Sequence, residues 1–295
     1  MMFAKKALFI INPKSGTRSD QQRKRIQFLI EEHASRFFKV ETVFTSHPHH
    51  ATQEAHRAIR QGFDYVVAAG GDGTVNEIAK TLINSPVTLG ILPLGSGNGL
   101  ARHLGISMAI EKALRQLCAQ KTMEIDACFL NQMPFFCTAG VGFDAYVAAQ
   151  FATYSSRGLQ RYAQVSFQSF FRYKAKDYLL ELDGQEIQLP AFAVTFANAS
   201  QYGNNAYVAP QAKIDDGLID VCLLSPFPKP LAPIIAARLF QGTLPQSSYV
   251  HTYKVRKAKI SASEKLLIHF DGEPLQLETN ELTITIQPKC LKVLV

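Results

Sequence analysis

Three glycine-rich stretches hold the residues best suited to chemistry. They are Asn12-Pro13-Lys14-Ser15-Gly16-Thr17, Gly70-Gly71-Asp72-Gly73-Thr74-Val75-Asn76-Glu77 and Pro93-Leu94-Gly95-Ser96-Gly97-Asn98-Gly99. Glycine lets a backbone approach a ligand closely, and free N–H groups at a helix start suit phosphate oxygens. Lys14, Thr74 and Ser96 could add donors. One such loop would be ordinary turn chemistry. Three at successive strand ends point to a phosphate site. A second set of acids lies later, in Asp215-Asp216-Gly217 and Asp271-Gly272-Glu273. Asp-Gly is also a common hairpin turn, so for these acids the turn and chemical readings both stand on the residues alone.

The elements around the loops follow from the apolar pattern. Ala7 to Ile11 and Tyr65 to Ala69 are continuous apolar runs, as expected of strands buried on both faces, and Val87 to Leu92 reads as another strand. Val40 to Phe44 reads as a further strand. Helical spacing follows from Asp20 (a plausible N-cap), over Thr52 to Ile59 and Val75 to Ile83, around Leu100 to Leu104, and over Ala109 to Leu117. Such alternation predicts a three-layer α/β domain with a mostly parallel sheet, over residues 1–125. Ligands in these folds sit at the carboxyl ends of the strands. From Asp126 the texture changes to short alternating runs, such as Ala191 to Phe196, Ile219 to Leu224, Leu266 to Phe270 and Leu282 to Ile286, with turns at Asp183-Gly184, Asp216-Gly217 and Asp271-Gly272. Residues 126–295 therefore read as an antiparallel β domain with helical insertions at 145–173 and 230–240, whose last strand returns to the first domain.

Composition narrows the classes. Lys and Arg total 31 against 24 Asp and Glu, a net +7 that favours phosphates or anionic lipid as partners. The five cysteines include no C-x-x-C, which argues against a disulfide framework or zinc ribbon and fits a reducing, cytoplasmic setting. The basic start ends at Asn12-Pro13, too early for a signal peptide, and no run approaches the ~20 apolar residues of a membrane span. G-x-x-x-x-G-K-[ST], a Rossmann glycine fingerprint, G-x-S-x-G and H-E-x-x-H are all missing, so nucleotide motors, dehydrogenases, hydrolases and zincins lose their main support. No nucleic-acid module accompanies the charge.

Gly70-Gly71-Asp72-Gly73-Thr74 with Asn76-Glu77 resembles the diacylglycerol kinase catalytic-domain family, which includes bacterial lipid kinases and the sphingosine and ceramide kinases. Asn12-Pro13-x-Ser15-Gly16, Pro93-Leu94-Gly95-Ser96-Gly97-Asn98, Gly140-x-Gly142-Phe143, Asp215-Asp216-Gly217-Leu218-Ile219-Asp220 and Asp271-Gly272-Glu273 are similar to the family's further motifs, in order. The resemblance covers essentially the whole chain. It implies an NAD kinase/diacylglycerol kinase-like α/β domain followed by a β-sandwich, and ATP-dependent phosphorylation of a lipid hydroxyl, diacylglycerol-like first. ATP is expected in the cleft between the domains, against Asn12, Thr45, Gly70, Gly71, Asp72, Gly73, Thr74, Val75, Asn76, Gly95, Ser96 and Asn98. Mg²⁺ would bridge its phosphates, with Asp72 near the ion. Glu273 is implied as the proton acceptor, and Asp72 competes for that role. A second, structural Mg²⁺ would use the Asp216 carboxylate and the carbonyls of Lys213 and Leu218.

Other features carry weaker expectations. Asp144 follows Gly142-Phe143, near where sphingosine kinases bind a lipid head, and is a candidate substrate contact. The run from Phe151 to Tyr173 mixes aromatics with Arg157, Arg161 and Arg172. Core packing and a membrane-docking face both explain it. Lys254, Arg256, Lys257 and Lys259 read as a solvent face or a lipid-facing patch, and His47, His49, His50 and His56 as a solvated segment. The expectation is a cytoplasmic kinase with transient peripheral membrane contact and no nucleic-acid partner; oligomeric state is not legible. Rival readings are an NAD kinase acting on a soluble nucleotide and a non-catalytic lipid- or nucleotide-binding regulator.

Overall fold

The computed structural model describes residues 5–16, 20–154 and 159–295. Thr17, Arg157 and the side chain of Asp20 lie outside the described residues. The chain forms two compact units, one of residues 1–125 and 289–295 and one of residues 126–288.

In the first unit, strands β1 (Lys6–Ile11), β2 (Lys39–Phe44), β3 (Tyr65–Gly70) and β4 (Thr88–Pro93) alternate with helices α1 (Asp20–Ala34), α2 (His50–Arg60) and α3 (Asp72–Leu82). Helices α4 (Gly99–His103) and α5 (Ile110–Cys118) follow, and β5 (Thr122–Leu130) leads into the second unit. The strand order is β2-β1-β3-β4, all parallel. At the chain's end, Val293 pairs with Leu89 of β4, also in parallel. Every residue of β3 and β4 is buried, so both faces of the sheet are covered. Helix α1 packs against α5, and α2 against α3. The edge strand β2 is only half-buried, as expected with a neighbour on one side. Register places Gly70 opposite Pro93, which brings the β3 and β4 loops out side by side.

The second unit contains β6 (Met133–Phe135), β7 (Thr138–Gly142), α6 (Phe143–Ala152), α7 (Leu159–Arg172), β8 (Lys176–Leu182), β9 (Gln185–Ala191) and β10 (Ala193–Ala197). There follow β11 (Ile219–Leu224), α8 (Ala232–Gln241), β12 (Val250–Val255), β13 (Lys257–Ser261), β14 (Leu267–Phe270), β15 (Glu273–Gln276) and β16 (Glu281–Leu294). One antiparallel sheet runs β12-β11-β10-β7-β14-β15. The other pairs β16, β13, β8 and β9, and β5 with β6. Inward side chains of both sheets, among them Val141, Phe196, Val221, Ile260, Ile268 and Ile284, share one core. This is a β-sandwich-like arrangement, its inward residues alternating with exposed or half-buried ones on β8 and β13. All five cysteines are buried and none is in a disulfide. Burial, with the Asp144 and Asp220 carboxylates, pushes the Cys222 thiol up to about 12.

Candidate active site

The three glycine loops of the first unit are tied into one structure by their own side chains. Asn12, at the end of β1, donates its amide to the Thr74 hydroxyl (2.9 Å) and accepts the Lys14 N–H (2.9 Å). Ser15 accepts the Gly71 N–H on its hydroxyl at 3.1 Å. Asp72 reaches the third loop: one oxygen accepts the Asn98 N–H at 2.8 Å and the other the Gly99 N–H at 2.7 Å. Asn98 has φ 53°, in the left-handed region that asparagine tolerates. Its side chain accepts the Gly95 N–H and donates to the Gly95 carbonyl.

The glycines have a packing reason. A Cβ on Gly95 would stand 2.6 Å from the Gly71 Cα, a backbone clash, and one on Gly97 would stand 2.7 Å from the Asp72 carboxylate. Loop therefore packs on loop with no room for side chains. Helix α3 begins at Asp72, three residues before the helical pattern starts in the sequence, so Asp72, Gly73 and Thr74 form its first turn. Gly73 and Ser96 are exposed, whereas Thr74, Val75 and Asn76 are buried. Among the described residues, both polar atoms of the Asn76 amide lack a hydrogen-bond partner although the residue is only 5% exposed. A buried unpaired polar group costs about 1–3 kcal/mol, which a ligand atom would offset. Thr45 carries its N–H to the Ile11 carbonyl (2.9 Å), continuing the β1–β2 ladder past β2.

In the second unit, Asp271 and Gly272 form the two-residue turn between β14 and β15, with φ 47° and 85°. The turn is anchored, because the Asp271 carboxylate accepts the N–H groups of Phe136, Cys137 and Thr138 at 2.9, 2.8 and 3.1 Å. Glu273, opposite Phe270 in register, leaves the turn exposed. The aspartate thus holds the hairpin and the glutamate is presented by it.

Asp144 opens α6 and is almost enclosed. One oxygen accepts the Ala145 N–H (2.8 Å); the other contacts the hydroxyls of Thr195 (3.1 Å) and Tyr202 (3.2 Å) and His269 Nε2 (3.0 Å). Burial, reinforced by Asp144, pushes the Tyr202 phenol well above its ordinary value. The sequence offered no sign of His269, which lies 125 residues from its partner. These contacts fix the position of the Asp144 carboxylate.

Asp216 and Asp220 share a cation. Lys254 Nζ lies 2.8 Å from Asp220 and 3.2 Å from Asp216, while the other Asp216 oxygen accepts the Leu218 N–H. Burial pulls the Lys254 ammonium down, but bonds to Asp220 and Asp216 more than offset it, and its pKa lies above the ordinary lysine value. Burial pushes Asp220 up, with Lys254 opposing. Gly217 donates to the fully buried Asp126 at 2.7 Å, which fixes the turn. The Asp216 carboxylate is thus held by a lysine, and among the described residues no group of three or more His, Cys, Asp or Glu is placed to hold a metal ion.

Residues 6–130 match the diacylglycerol kinase catalytic domain, and residues 137–295 the YegS C-terminal NAD kinase beta sandwich-like domain. A "Probable lipid kinase YegS-like" protein of Pseudomonas aeruginosa (strain UCBPP-PA14) is 33% identical over 248 residues, covering 80% of this chain and 78% of its own. A "Diacylglycerol kinase" of Bacillus subtilis (strain 168) is 28% identical over 280 residues, covering 91% and 90%. The crystal structure of a diacylglycerol kinase from Bacillus anthracis str. Sterne shares the fold with a TM-score of 0.77, at 20% identity over 98% of this chain and 96% of that one. With both of its units matched in chain order, the chain belongs to the diacylglycerol kinase/YegS family.

Proposed function

We propose that the protein transfers the γ-phosphoryl group of ATP to a lipid hydroxyl, diacylglycerol-like first. The observation that carries this reading is the lock between the three loops of the first unit. It sets the first-turn N–H groups of α3, at Asp72, Gly73 and Thr74, beside the exposed Ser96 and the Asn76 amide at the carboxyl ends of β3 and β4. Phosphoryl transfer is mostly positioning and charge neutralisation, and rigid amide donors supply both. The proposed ATP contacts are Asn12, Thr45, the residues 70–76, Gly95, Ser96 and Asn98. Mg²⁺ bound to the phosphates would neutralise their charge. Glu273 is the proposed proton acceptor, since Asp72 has both oxygens on backbone N–H groups. The cytoplasmic setting and peripheral membrane contact belong to the same proposal. Thin-layer separation of membrane lipids incubated with labelled ATP tests it. A labelled phospholipid product is expected; label on NAD, or on no acceptor, overturns it.

The second Mg²⁺ is proposed at Asp216 with the carbonyls of Lys213 and Leu218. Because Lys254 competes for Asp216, the native protein should show only a slight rise in Tm on adding Mg²⁺. Lys254→Met should be less stable without the ion and gain on the order of 2–4 °C with it, and Asp216→Ala should gain nothing. A Lys254→Met protein whose melting ignores Mg²⁺ would remove the site.

A further inference from the structure

Most of the second unit's apolar residues are covered, but two helices reverse the usual pattern. Helix α7 turns Val165 and Ser169 inward and leaves Phe167 at 68% and Phe171 at 55% exposed. Helix α8 has no buried residue. It rests Ile235 and Leu239 on the small cluster around Val208 and Leu244. Its outer side is Pro233, Ile234, Ala236, Ala237 and Phe240, with Ile234 at 53% and Phe240 at 49%. An isolated exposed apolar side chain is ordinary, but a pair of exposed rings on α7, set among the exposed Gln164, Gln168 and Arg172, together with an apolar outer face on α8 is not.

Ring and cation–π contacts tie the end of α7 to the segment that leads into α8. Phe167 and Phe171 meet edge to face at 5.1 Å, and Phe170 stacks on Phe227 at 6.0 Å. Lys229, which leads into α8, places its ammonium 5.9 Å from the centre of the Phe171 ring. The patch therefore runs from the end of α7 through Phe227 and Lys229 towards α8.

Charge identifies the occupant. Residues 145–176 and 221–263 contain no Asp or Glu. Arg172, Lys174 and Lys229 are exposed, and among the described residues none of them has an ion-pair partner. A second copy of this chain or an acidic protein would have to match large aromatic side chains with a shaped apolar surface. A bilayer accepts them without matching, and its phosphates face the cationic rim. Among the described residues no helix is long and apolar enough to cross a membrane, so contact would be made from one side.

We propose that the outer faces of α7 and α8 dock on an anionic lipid bilayer, with Phe167, Phe171, Ile234 and Phe240 entering the interface and Arg172, Lys174 and Lys229 on the headgroups. This deepens the lipid-kinase reading by naming where the chain would meet the membrane that holds its substrate. Flotation with vesicles of phosphatidylcholine alone, and of phosphatidylcholine with phosphatidylglycerol, tests it without any turnover. Binding to the anionic vesicles, weaker with added salt, is expected. Phe167→Ser with Phe171→Ser should lower it by at least ~tenfold. Arg172→Glu with Lys229→Glu should remove the preference for anionic vesicles while circular dichroism and melting stay native. Ile234→Ser with Phe240→Ser gives an independent reading if the first pair unfolds. Equal binding to both vesicle types, unchanged binding of folded serine variants, or self-association that these variants abolish would overturn the proposal. Vesicle binding by a protein that phosphorylates no lipid would leave docking standing and remove the kinase reading instead.

Discussion

Glu273→Gln should reduce phosphoryl transfer by about 10²–10⁴-fold, the usual contribution of a positioned general base, and leave ATP affinity nearly unchanged. The substitution keeps shape and removes only the proton-accepting charge. Its setting makes the result readable. Glu273 is exposed, and the turn that carries it depends on Asp271, whose carboxylate takes three backbone N–H groups. The glutamine variant should therefore melt like the native protein. Asp271→Ala should not, because it strips the three amides of their acceptor and loosens the turn between β14 and β15. Single-turnover rates for the lipid acceptor and calorimetric titration with ATP separate the two effects. Near-native turnover by a folded glutamine variant would take Glu273 out of the role.

The parts of this molecule that were legible in the sequence are those where one local property decides the structure. Ala7 to Ile11 and Tyr65 to Ala69 are apolar at every position because both faces of a parallel sheet are covered, and β1 and β3 occupy those residues. Residues 145–173 were expected to be helical, and α6 and α7 lie there. The start of α3 is hidden, since Gly73 lowers helix propensity in its first turn and Gly71 stands at its N-cap. What no local reading reveals is which distant groups meet. Glycine at positions 71 and 95 suggests a ligand approaching the backbone; the structure adds that the two loops approach each other. Asp144 stood out as a polar residue in apolar surroundings, but its partners Thr195, Tyr202 and His269 lie 51, 58 and 125 residues away. Lys254 looked like part of a basic strand, and pairing of β11 with β12 sets it against Asp220. The roles proposed for Glu273 and Asp216 rest on motif resemblance, because an Asp-Gly turn has the same appearance whether or not it presents a functional acid.

Asp72→Asn is expected to weaken ATP binding and stability together, which distinguishes a residue that builds the loop from one that only accepts a proton. In the native protein each carboxylate oxygen takes one backbone N–H of the third loop, at 2.8 and 2.7 Å. Hydrogen bonds to a charged group contribute about 1.5–3 kcal/mol each. Asparagine keeps one acceptor and turns an NH₂ towards the other N–H, so one bond is lost and a donor faces a donor. A cost of about 2 kcal/mol corresponds to roughly 30-fold in an equilibrium constant. It should be divided between a lower Tm and weaker ATP binding, because the third loop, with Gly95, Ser96 and Asn98, is released from α3. The two substitutions therefore give opposite signatures: Glu273→Gln loses rate and keeps nucleotide, whereas Asp72→Asn loses nucleotide and stability first. If Asp72→Asn binds ATP and melts like the native protein but fails to turn over, Asp72 is the base, and the clamp it forms is incidental to nucleotide binding.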